Sequence, residues 1–155
     1  QGTLADTTPV TNAQGRATVR WTLGPTAGEQ RAVVKVEGVD SEVTLLARAT
    51  AGTPSKITVT SVPPAKGAAG GALGIMATVT DAQGNPVLGA PVSFTTSAGT
   101  LSPSRSRTDA TGKTTVTWTP PRLAGDQKVT AVVTGTRVTA THAVRSPATT
   151  LKRRN

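Results

Sequence analysis

The chain has 155 residues, one histidine, no cysteine and a formal charge of +9, with 17 basic against 8 acidic side chains. That length holds one or two small domains, and the missing thiols exclude disulfides and thiolate chemistry. No apolar run approaches the roughly 18–20 residues a spanning helix needs, so no transmembrane segment is expected.

In chain order, Gly2 to Leu4 and a polar strand around Thr8 to Thr11 come first. Residues 12–16 then read as a turn, since Asn12 can cap it locally and Gly15 accepts positive φ. Ala17, Val19, Trp21 and Leu23 alternate with Thr18, Arg20 and Thr22, which predicts a half-buried strand. After a turn at 25–30, Ala32, Val34 and Val36 form a second apolar face. Gly38 to Asp40 make a hairpin, and Val43, Leu45 and Ala47 line the inner face of the strand that follows. Residues 49–55 are small and polar and read as a linker, restricted by Pro54.

Lys56 to Val62 begins a complete module, stopped by Pro63 and Pro64 and followed by a Gly/Ala loop over 65–72. Leu73, Ile75, Ala77 and Val79 form the inner face of a central strand, Asp81 to Pro86 a turn, and Val92 and Phe94 mark the next strand. Further inner positions are Val116 and Trp118, then Val129, Ala131 and Val133, then Val138, Ala140 and Val144. Residues 2–38 align without a gap to residues 99–135, at an offset of 97, with 15 identities in 37 positions. A period near one hundred residues suits an array of small domains rather than a solenoid. Thirty threonines, many at alternate positions, suit the wet faces of strands. The expected fold is all-β, a tandem repeat of two-sheet sandwiches with about seven strands and frequent turns.

Residues 81–94, Gly99 to Pro103, Thr108 to Thr117 and Ala124 to Ala131 carry a family resemblance. They resemble the bacterial immunoglobulin-like repeats of the invasin and intimin group. The resemblance spans residues 52–145, and residues 2–49 match only the second half of such a repeat. Trp118 and Trp21 depart from it, standing where the family more often has an aliphatic residue. It implies an immunoglobulin-like β-sandwich from an extracellular tandem array of stalks, spacers or adhesive tips. The expected domains are 1–49, the C-terminal half of one module; 50–145, a complete module; and 146–155, a basic tail with Lys152, Arg153 and Arg154.

The candidate chemistry is thin. Gly112-Lys113-Thr114 ends like a phosphate-binding loop, but Arg107 stands where the earlier glycine belongs and a strand follows, so a turn is expected. His142 aligns with Leu45 and is expected near a strand end at the rim of the core. One histidine with no cysteine or tyrosine assembles neither a hydrolytic triad nor a zinc site, so no catalytic residue, metal or cofactor is expected. Asp81, Asn85 and Asp109 read as turn caps, since calcium needs six or more oxygens and the alternating acidic ligands are missing. Trp21 and Trp118 fall on the inward parity of their strands and are expected in the core. Arg105, Arg107, Lys113 and Arg122 form a candidate basic ligand patch for surface glycans or lipid headgroups. Nucleic acid is not the expected partner, since the chain lacks aromatic platforms and a groove-reading helix. Charge also divides unevenly: residues 1–49 hold five basic and five acidic side chains, residues 50–145 nine and three. Two copies of one module that differ so in charge share a fold rather than an electrostatic ligand.

Residues 1–49 lack the early strands of a sandwich. Leaving four large apolar side chains half wet costs about 3–6 kcal/mol, comparable to the stability of a small domain. This segment is expected to need upstream sequence, or another chain by strand addition, for stability. Beginning at Gln1 rather than Met, the chain is expected to be part of a longer or processed product. The expected role is a non-catalytic structural or adhesive module of a bacterial cell-surface or secreted protein, attached to the outer membrane through other regions. Its expected partners are neighbouring immunoglobulin-like domains of the same longer chain, and host or bacterial surface glycans or proteins. The alternatives are an accessory polysaccharide-binding module and a linker region of a larger secreted enzyme.

Overall fold

A computed structural model describes residues 2–62, 71–121 and 125–146. The chain divides into two compact units, Gln1–Ala51 and Gly52–Asn155. Twelve strands and no helix occur among the described residues, so no helix there is long and apolar enough to cross a membrane.

The first unit contains β1 (Thr3–Leu4), β2 (Trp21–Thr22), β3 (Gly28–Lys35) and β4 (Glu42–Ala49). β1 pairs with β2 and β3 with β4, as two separate antiparallel two-stranded sheets. In the hairpin, Ala32 lies opposite Leu45 and Val34 opposite Val43. Residues directly opposed in an antiparallel pair share a face, so these four make one apolar face. The other face carries Glu29 opposite Arg48 and Lys35 opposite Glu42, with exposed ion pairs Arg31–Glu29 and Lys35–Glu42.

The second unit has β5 (Lys56–Val62), β6 (Leu73–Thr80), β7 (Pro91–Thr96), β8 (Thr100–Ser102), β9 (Arg105–Arg107), β10 (Lys113–Thr119), β11 (Gly125–Val133) and β12 (Thr139–Ser146). These form two four-stranded antiparallel sheets, ordered β5-β6-β10-β8 and β12-β11-β7-β9. Ile75, Val79, Val116 and Trp118 on the first sheet, and Val92, Phe94, Val129 and Val133 on the second, are almost wholly buried. They alternate with less buried residues, in β10 with exposed threonines, as a sheet with one wet face requires. The architecture is an immunoglobulin-like β-sandwich. Between β8 and β9 the chain passes from one sheet to the other, through a cis Ser102–Pro103 bond. Strands of three residues are too short to show alternation, so sequence reading leaves β8 and β9 undivided.

The first unit departs from expectation in two places. The strand expected over 17–23 is regular only at Trp21–Thr22, and the polar stretch Thr8 to Thr11 is not a strand. The second unit supplies the reason. At the offset of 97, residues 16–22 correspond to β10, most of whose ladder is made with β6. Likewise Thr8 to Val10 correspond to β9, which pairs with β7. The first unit has no counterpart of β6 or β7, and a strand is defined by its partner as much as by its pattern. Pro63, Pro64 and most of the expected 65–72 loop lie outside the described residues.

Where the partners exist in both units, the register repeats. Thr3 opposite Thr22 and Leu4 opposite Trp21 become Thr100 opposite Thr119 and Leu101 opposite Trp118. Gly28 opposite Ala49 becomes Gly125 opposite Ser146. Gly15 and Gly112 both have φ of 72°, a value that favours glycine and closes the same turn.

Candidate functional site

The turn carboxylates hold their own turns together. Asp81 is buried after β6, where its Oδ1 accepts from the Gln83 and Asn85 amides at 2.9 and 2.8 Å. Its Oδ2 accepts from Asn85 Nδ2 and the Gly52 amide, both at 2.9 Å. The Asn85 side chain first, then the Gly52 N–H, hold the carboxyl at a pKa of about 2. Gly52 belongs to the expected linker, so this one carboxylate ties the start of the second unit to its first long turn. Asp109 Oδ1 accepts from the Thr111 hydroxyl at 2.7 Å and from the Thr111 and Lys113 amides at 2.8 and 3.0 Å. Those bonds, the hydroxyl's foremost, lower its pKa. At the equivalent place Asn12 Oδ1 receives the Gln14 and Arg16 amides, both at 3.0 Å. The turn therefore needs an acceptor oxygen, not a charge. No group of three acidic or imidazole side chains that could hold a metal occurs among the described residues.

Gly112-Lys113-Thr114 is the end of this turn: the Gly112 amide donates to Asp109 O at 3.0 Å, and β10 begins at Lys113. A side chain on Gly112 would collide with Val79 O and Pro86, which leaves no cradle for a phosphate. His142 corrects the expectation that it lies near a strand end. It stands within β12 opposite Val129, with Nε2 3.4 Å from Ser61 Oγ on β5. As the edge strands of their sheets, β12 and β5 can meet there across the open side of the sandwich.

Trp118 is fully buried, and its Nε1 donates to Thr96 Oγ1 at 3.1 Å and Ala98 O at 3.0 Å. It is a core anchor, since its faces are not available to a sugar. Trp21 is half-buried. Two buried polar side chains escape sequence reading, because neither shows a motif. Thr108 accepts from the Ala90 amide at 2.8 Å and donates to Val87 O, closing the loop before β7 onto the end of β9. Gln30, 3% exposed, accepts from the Gly24 amide at 2.7 Å and donates to Thr26 O at 2.8 Å. Its signal is a polar residue on an apolar parity.

Of the candidate basic residues, Arg105 and Arg107 share one exposed side of β9. Arg107 Nη1 donates to Gly89 O at 2.9 Å, and neither arginine joins an ion pair among the described residues. Lys113 is exposed at the start of β10 on the other sheet, and Arg122 lies outside the described residues. Of the three that are described, Arg105 and Arg107 share one strand side.

The first unit exposes many of its large apolar side chains. All the buried hydrophobic side chains among the described residues belong to the second unit, while nine of the eleven exposed large ones belong to the first. Val34, Val36, Val43 and Leu45 are 48%, 62%, 58% and 47% exposed. Ala131 and Val133, the counterparts of Val34 and Val36, are buried.

The bacterial Ig-like domain (group 1) family matches residues 56–145, which is more than half of the chain. The chain belongs to this family. As a bacterial Ig-like domain it is similar in structure to the D0-D1 domain of intimin, with 24% identity over 94% of this chain and 75% of that one, at a TM-score of 0.45. A C-terminal 282-residue intimin fragment, solved with the intimin-binding domain of the translocated intimin receptor, is 25% identical over 61% of this chain and 33% of that one, at 0.46. A β-glucuronidase from Parabacteroides merdae shares 18% identity over 89% of this chain and 19% of the enzyme, at 0.50, a likeness of fold alone. No curated protein matches the chain.

Proposed function

We propose that the chain is a non-catalytic segment of tandem bacterial Ig-like modules, acting as stalk, spacer or adhesion domain of a cell-surface or secreted protein. The observation that carries this reading is the family match over residues 56–145. The ladder and turn geometry that recurs at an offset of 97 residues agrees with it. In this reading residues 50–145 are one complete module, residues 1–49 the C-terminal half of another, and 146–155 a basic tail. The polar groups of the turns are spent on the fold, as in a part that sets length and spacing. The proposed location is extracellular or at the bacterial surface.

Exposed Arg105 and Arg107, free of ion pairs among the described residues, favour one alternative: an accessory module that holds an acidic polysaccharide. A glycan array probed with the full chain at about 0.05 and 0.5 M salt separates the two, because exposed charges are strongly screened at the higher value. The spacer reading expects no saturable binding at either salt. Binding to acidic glycans that disappears at high salt and in R105A/R107A would replace it.

A further inference from the structure

We propose that the apolar face of the first unit is an acceptor for a segment of the β5–β6–β7 kind from the same polypeptide, docked in the register those strands hold in the second unit. This rests on the module reading above. The second unit shows what completes such a half: lateral partners widen each sheet until the two inner faces bury one another. There β11 takes β7 along its edge, with Phe94 opposite Ala131 and Val92 opposite Val133, and β10 takes β6, with Ile75 opposite Val116 and Leu73 opposite Trp118. Shifted by 97, the acceptor positions are Val34, Val36, Val19 and Trp21. Val34 and Val36 are about half or more exposed, and residues 16–20 follow no ladder although they alternate as β10 does.

The same geometry selects the source. In the second unit only Ser97 and Ala98 separate β7 from Gly99, the counterpart of Gly2. A strand joined to Gly2 by so short a link is held beside β3 at a high effective concentration. A second copy offers no free equivalent, since its own β6 and β7 are already paired with β10 and β11. The incoming segment therefore needs aliphatic or aromatic residues at alternate positions, with one opposite Val34 and one opposite Trp21.

The test fuses residues 53–98 of this chain ahead of Gly2, so that Ala98 leads into Gly2 as it natively leads into Gly99. Amide exchange is read over 16–21 and 32–36, beside sedimentation of the fused and unfused chains. Exchange slowed at least about tenfold relative to the unfused chain is expected. Val34→Asp should abolish that protection, whereas Val33→Asp, on the opposite face, should not. Unchanged exchange overturns the proposal, as does the reverse response of the two variants, which would mean a slipped register. An unfused chain that is already dimeric and protected there also overturns it in favour of a second copy. Loss of protection at Thr130 and Val132, whose amides face β7, in the fused chain would show that the segment had displaced β6 and β7 of the second unit, and would do the same. None of these results bears on the family match over residues 56–145, and the choice between spacer and polysaccharide-binding module is read separately, by the glycan array.

Discussion

Asp81 shows how a single side chain in this protein trades charge for order. Four donors converge on its carboxylate, and its pKa of about 2 lies below the roughly 3.9 of an unfolded aspartate. The folded state therefore prefers the ionised form. The stabilisation is complete above the unfolded pKa and is lost as the pH falls from about 4 toward 2. Asp109, lowered by its own turn, adds to the same acid dependence. Asp81→Asn should lower denaturant stability at pH 7, because an amide cannot accept at both ends. It should also flatten the decline between about pH 4 and 2, measured by urea titration at stepped pH. An unchanged acid slope in the variant would assign the dependence elsewhere. Asn12 stands at the turn equivalent to that of Asp109, so this turn of the first unit, capped by a neutral amide, should add nothing to the slope.

The strand β10 and its counterpart at 16–22 carry almost the same alternation and the same tryptophan, yet only β10 is a full strand. Its neighbour β6 supplies the ladder, and Phe94, Thr96 and the rest of the opposite sheet supply the cover. Trp118→Ala should cost about 3–5 kcal/mol in the transition of the second unit, whereas Trp21→Ala should leave that transition unchanged. Thermal unfolding followed by circular dichroism measures both, and equal losses would contradict the difference in burial. Much of the second unit was legible in advance because its signals are local. Lys56 to Val62 was bounded by proline, the inner face of β6 by parity, and the turns at 81–86 and 109–112 by Asp, Asn and Gly. The crossing at β8 and β9 was not legible, because three residues give no period. Nor was the strand-centre position of His142, which depends on how β12 meets β5. Arg105 and Arg107 were legible as neighbours on one strand side. Lys113 starts a strand of the other sheet, a change of sheet that sequence spacing does not reveal.

Across the molecule, apolar cover is divided very unequally. The second unit owns the buried hydrophobic core of the described residues, and the first owns most of the exposed large aliphatic side chains. Residues 50–145 expressed alone should retain one cooperative thermal transition, while residues 1–49 alone should show none as a monomer. A cooperative transition for monomeric 1–49 would mean that its two hairpin-like sheets suffice, against the cost of exposing Val34, Val36, Val43 and Leu45.

Alternation, turn chemistry and the repeat at 97 residues were enough to place the inward residues of the second unit, the capped turns and the sandwich class. Each is a property of a few consecutive residues, and each recurs wherever those residues recur. Whether an alternating stretch becomes a strand was settled by its partner. Ala17 to Leu23 and Thr114 to Pro120 read alike, but β10 has β6 beside it and the earlier stretch does not. Strand pairing joins residues far apart in the chain, so a local pattern can call for a neighbour without supplying one.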